Sequence, residues 1–107
     1  MRAILIDPSD QTIKEVEYDG DFRTIHDLIA APSRMFEVVG GIPHHDCYVD
    51  EEGLLYHGGN PHGYFNLPNS EQQAYAGKGL VLKCDDEGET IGATVSLAEV
   101  QELVRWI

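Results

Sequence analysis

The sequence predicts an α+β domain: a mainly antiparallel sheet of about five to six strands with two helices, in the order ββα-βββ(β)-α. Three observations carry this prediction. Short apolar runs of strand length recur between turn residues. Two segments place apolar residues at helical spacing. The connections between consecutive strands are short, which favours antiparallel pairing.

Residues 2–6 hold Ala3-Ile4-Leu5-Ile6, a run that reads as a buried strand. Asp7-Pro8-Ser9-Asp10 is turn chemistry. Residues 12–18 form the return strand, with Val16 and Tyr18 alternating with Glu15 and Glu17. Phe22, Ile25, Leu28 and Ile29 recur at helical spacing, so residues 22–30 read as the first helix. Asp21 or Thr24 caps it, and Thr24 with Asp27 matches a capping box. Pro32 stands where a helix stop is expected.

Met35-Phe36-Glu37-Val38-Val39 predicts a third strand, ended by Gly40-Gly41 and Pro43. Cys47-Tyr48-Val49 and Leu54-Leu55-Tyr56 flank Asp50-Glu51-Glu52-Gly53, a hairpin signal. Residues 57–63 have loop composition, Tyr64-Phe65 reads as a short strand, and residues 67–77 read as a surface excursion with one helical turn. Leu80-Val81-Leu82 and Thr90-Ile91 flank a second acidic turn, Asp85-Asp86-Glu87-Gly88. Ser96-Leu97-Ala98-Glu99 is a capping box. The stripe of Leu97, Val100, Leu103, Val104 and Ile107 behind it predicts a last helix packed on the sheet, with Trp106 near its edge. Both helices are expected on one face.

At 107 residues the chain has the size of a single domain, 1–107. A hydrophobic fraction of 42% suffices for a core. Nineteen acidic residues face seven basic ones, for a formal net charge of −12. That charge repels nucleic-acid phosphates and anionic membranes and attracts basic surfaces and cations. It also serves solubility. The apolar run after Met1 is cut off by Asp7-Pro8, too early for a secretory signal, and no stretch has the length of a membrane span. Two cysteines do not make a disulfide scaffold. The expected location is a reduced cytoplasm, that of the infected host for a viral protein.

A family resemblance rests on motifs spread along the chain. These are Tyr18-Asp19-Gly20-Asp21-Phe22, Phe36-Glu37-Val38-Val39, Tyr48 to Leu55, Ala76 to Leu82, Asp85 to Thr90 and Ser96 to Val100. In this order they resemble the phage and bacterial family called domain of unknown function 3846, over about residues 3 to 106. The resemblance implies an accessory protein acting inside an infected bacterium. It implies no catalytic residues.

The residues themselves offer few sites. His44, His45, His57 and His62, with Asp46 and Cys47 nearby, are donor types that suit zinc, and a hairpin over 47–56 would bring His44, His45 and His57 together. Tyr48, Tyr56 and Tyr64 with these histidines would line a small-molecule pocket in loops 43–66. A pairing of Cys47 with His45 or His57 as nucleophile and base lacks a visible orienting group and oxyanion site. The two acidic turns are too short for a calcium loop, and Ala76-Gly77-Lys78-Gly79 lacks the spacing of a phosphate loop.

The acidic residues support a sharper expectation. Glu15 and Glu17 lie about 6.6 Å apart along one strand face. With Asp19, Asp21, Asp85, Asp86 and Glu87 they would form a negative ribbon that occupies the basic surface of a host protein. The expected function is therefore a non-enzymatic interaction module. A metal- or ligand-binding domain is the alternative.

Overall fold

The apolar run that opens the chain becomes β1 (Arg2–Asp7) in a computed structural model that describes residues 1–31, 34–68 and 74–107. β2 (Thr12–Glu17) returns beside it, in a register that pairs Arg2 with Glu17 and Asp7 with Thr12. Asp7 stabilises the turn between them by accepting from the backbone N–H and hydroxyl of Ser9. A 3-10 turn (Phe22–Thr24) and α1 (Ile25–Leu28) follow, then β3 (Phe36–Val39) and β4 (Asp46–Asp50). A second 3-10 turn (Gly53–Leu55) leads to β5 (Tyr64–Asn66), β6 (Tyr75–Ala76) and β7 (Gly79–Cys84). The chain closes with β8 (Thr90–Ile91), α2 (Leu97–Leu103) and β9 (Arg105–Trp106).

The main sheet has the order β2-β1-β7-β4-β3, with β8 paired to β7, and every pairing is antiparallel. This is the predicted α+β class. A second sheet, β6-β5-β9, was not expected. β1 and β4 begin at the end of the main sheet where β2, β3 and β7 finish. That end is the starting end of the sheet.

Side chains alternate across a strand, and both faces of β1, β4 and β7 are buried. Ile4, Ile6, Cys47, Val49 and Val81 face one core with Val100 and Val104 of the α2 segment and Phe65 of the second sheet. Ala3, Leu5, Tyr48, Leu80 and Leu82 face the other, with Ile25 and Ile29 from the α1 segment. The helices therefore cover opposite faces, which corrects the expectation of one covered face. The uninterrupted apolar run of β1 is the signature of a strand buried on both sides.

Four further expectations are corrected. Residues 47–56 are not a hairpin: β4 pairs with β3 and β7, and Leu54-Leu55 lies in a 3-10 turn. The reason is a contact distant in sequence. A Cβ on Gly53 would stand 2.6 Å from the Ala76 carbonyl oxygen, so this glycine serves a close approach to β6. The first helix is shorter than 22–30, and Asp21 caps the turn by accepting from the Arg23 N–H while the Thr24 side chain makes no cap. The last helix is capped by Ser96, as the sequence predicts, but ends at Leu103. Beyond it β9 pairs with β5, leaving Ile107 exposed. Pro32, read as a helix stop, and residues 69–73 of the surface excursion lie outside the described residues.

Candidate functional site

The strand register gathers most of the acidic candidates at the starting end. Glu17 pairs with Arg2, and Asp19 and Asp21 follow it directly. β1 also pairs with β7, which ends there and runs into the turn holding Asp85, Asp86 and Glu87. β2 and β7 are two strand spacings apart, about 10 Å. Glu15 lies two pairs further in, opposite Ile4.

These carboxylates do not all stand free. Glu15 lies 3.0 Å from Arg2, whose guanidinium also donates to the carbonyls of Ala93 and Val95. Glu17 lies 2.7 Å from the Met1 amino nitrogen. Asp19 accepts from the Asp21 N–H and the Thr24 hydroxyl. Asp21 is bonded by the Arg23 guanidinium and backbone, which holds its pKa below the ordinary value. Asp85 accepts from the N–H groups of Glu87 and Glu89 and so shapes the turn. Asp86 and Glu87 are exposed and make no ion pair among the described residues.

Two neighbouring groups have raised pKa values, one chiefly through a hydrogen bond to Asp46 and the other chiefly through burial. The Cys84 thiol bonds to Asp46, and this bond, desolvation and the charges of Asp46 and Asp85 outweigh the opposing Thr90 bond and raise its pKa. Burial raises the Tyr18 hydroxyl, and Tyr48, Asp19 and Asp21 add to the shift. Acids keep their protons where negative charge collects.

The histidines do not converge. His44 and His45 precede β4 at the starting end, whereas His57 and His62 follow its far end, a strand length of about 13 Å away. His62 instead lies within electrostatic reach of Asp7, at the far end of β1. The hairpin that would have brought His57 back does not form. His45 is a structural clasp: its Nδ1 lies 2.9 Å from the Pro43 carbonyl oxygen, and its Nε2 accepts from the N–H groups of Thr94 and Val95. Among the described residues no three of His, Cys, Asp and Glu gather as a metal-ligand set. His26, not singled out by its sequence context, is buried and packs on Phe36 with ring centroids 5.1 Å apart.

The tyrosines are also dispersed. Tyr48 is buried on the α1 face against Phe36. Tyr56 donates to Asp50 Oδ2, and Tyr64 Oη accepts from the Asn60 N–H. Cys47 is fully buried and its thiol is pushed up to about 12 by desolvation, so it is no nucleophile at neutral pH.

Sequence reasoning missed a polar network at the far end. The Asp50 carboxylate accepts from the Glu52 N–H and the Tyr56 hydroxyl. Asn60 donates to the Gly53 carbonyl and accepts from the His62 N–H. Buried Asp7 lies 3.7 Å from Lys78. The signal in the sequence is Gly59-Asn60-Pro61, an asparagine where an Asx turn is wanted within a segment of loop composition.

Among the described residues no helix is long and apolar enough to cross a membrane. No curated protein and no solved structure matches the chain. The family described as Domain of unknown function (DUF3846) matches residues 1–105, and the chain belongs to that family.

Proposed function

We propose that this domain is a non-catalytic interaction module that docks the acidic end of its sheet on a basic surface of a protein partner. In this proposal it is an accessory protein of phage or mobile-element type, and the partner is a host protein in the cytoplasm. The observation that carries the reading is the register, which gathers Glu17, Asp19, Asp21 and the Asp85–Glu87 turn at one end of the sheet. A formal net charge of −12 steers such a surface towards cations and away from phosphates.

The local partners decide how to test it. Reversal of Asp85 or Asp21 would disturb a turn, and reversal of Glu15 would free Arg2. Glu17, Asp86 and Glu87 are the informative positions, Glu17 being 83% exposed in its side chain. The combined variant Glu17→Lys, Asp86→Lys, Glu87→Lys is expected to stay folded and to lose a salt-sensitive partner that the parent protein retains. Equal retention by the two proteins would refute docking through this end.

A further inference from the structure

β3 is a four-residue edge strand of the main sheet. Among the described residues it pairs on one side only, with β4, and it ends the strand order. Half of its backbone N–H and C=O groups therefore point away from its partner. Natural edges are commonly blunted by lysine, proline or a bulge. The strand Phe36-Glu37-Val38-Val39 contains neither lysine nor proline, and Val38 is 51% exposed. Met35, Leu54 and Leu55 are exposed by 46%, 61% and 77%.

Beside this edge lies a cleft of about 150 Å³, walled by Glu37, Asp50 and Glu51 and lined further by Leu54 and Tyr75. Asp50 is engaged with Tyr56 and the Glu52 N–H, so it supplies charge more than a vacant acceptor. Glu37 and Glu51 make no ion pair among the described residues.

We infer that β3 is a docking edge for an extended segment of a partner protein that carries a lysine or arginine between two apolar residues. Backbone groups of such a segment continue the ladder, as in other strand-addition complexes. Its side chains alternate in step with β3. Those level with Phe36 and Val38 face the α1 side and cover exposed Val38. The one level with Glu37 faces the cleft, where an aliphatic stem lies along Leu54 and a cationic head meets the carboxylates.

Charge selects this occupant over a second copy of the chain. Self-pairing of two β3 edges would oppose two carboxylate-walled clefts on chains of formal charge −12. The inference goes beyond the acidic-end proposal and does not rest on it. The cleft is built on Glu37 and Asp50, and Asp50 closes β4 at the end of the sheet opposite to Glu17 and Asp86.

The test uses the whole protein and a fluorescent peptide of alternating valine and lysine, read by anisotropy and by backbone amide shifts. A peptide of alternating valine and glutamate is the control. The valine–lysine peptide is expected to bind, with the largest shifts at 36–39, and the control is expected not to bind. Glu37→Lys should weaken binding by about tenfold or more, and Glu37→Gln by less. The Glu17, Asp86 and Glu87 reversal should leave the β3 shifts in place. Both Glu37 variants are checked by thermal melting, and Glu37→Gln alone carries the test where Glu37→Lys does not fold. Equal binding of both peptides, or shifts confined to the acidic end, would overturn the inference. So would a concentration-dependent dimer paired through β3, because the occupant is then a second copy.

Discussion

Gly79→Ala tests how the second sheet is seated on the first. Gly79 opens β7 between Ile6 and Val49, on the face that packs against Phe65. A Cβ there would stand 2.8 Å from Phe65 Cζ and 3.0 Å from Cys47 Sγ. Both neighbours are fully buried, and the Phe65 ring is further held by Tyr75 at a centroid distance of 5.7 Å. Replacing a strand glycine by alanine ordinarily gains about 0.5–1 kcal/mol. Forcing a methyl group into a packed core costs about 1–3 kcal/mol. The overpacking term wins, for a net loss of about 1–2 kcal/mol, or roughly 4–8 °C in melting temperature. Urea and thermal unfolding of the parent, Gly79→Ala, Phe65→Leu and the double variant give the assay. Removing the ring edge should relieve the clash and yield a coupling of about 1 kcal/mol. A Gly79→Ala protein that is as stable as the parent, or equally destabilised in the Phe65→Leu background, refutes this packing.

Two other predictions address single side chains. His45→Ala removes the acceptor for the Thr94 and Val95 N–H groups and should cost about 1 kcal/mol or more, whereas exposed His44→Ala should cost less; denaturant unfolding of the pair decides. Burial opposes ionisation of Asp7, but the Ser9 hydrogen bonds and the charges of Lys78 and His62 outweigh it, so its folded pKa lies below its unfolded value of about 3.8. Between those two values the unfolded chain binds more protons, so the contribution of Asp7 is fully present above about pH 4–5 and is lost as pH falls through the folded pKa. Asp7→Asn should therefore unfold at lower urea concentration near pH 7, with the difference from the parent shrinking towards pH 3.

Much of the fold is legible because its signals are local. The β1 run, the Asp7–Asp10 turn, the acidic turn after β7 and the Ser96 cap each depend on neighbours in sequence. The misreadings arise where a distant contact overrides a local preference. Asp50-Glu51-Glu52-Gly53 has the composition of a hairpin turn, but Gly53 is recruited by Ala76 and β4 takes β3 and β7 as partners. The stripe from Leu97 to Ile107 has helical period, yet β5 draws Arg105-Trp106 into a strand. The acidic residues were legible by composition, but not their partners: Arg2, Arg23 and the turn amides hold Glu15, Asp21 and Asp85, which leaves exposed Glu17, Asp86 and Glu87 as the informative charges. The edge cleft was invisible because Glu37, Asp50 and Tyr75 meet only through the sheet topology.

The central claim is that the acidic end of the sheet binds a basic protein surface. It is tested most directly by parallel affinity capture from bacterial lysate with the parent domain and with the Glu17→Lys, Asp86→Lys, Glu87→Lys variant, each at low and high salt and read by mass spectrometry. The claim predicts a basic partner that the parent retains at low salt and releases at high salt, and that the variant never retains. The same partner on both proteins, or none on the parent at low salt, would contradict it.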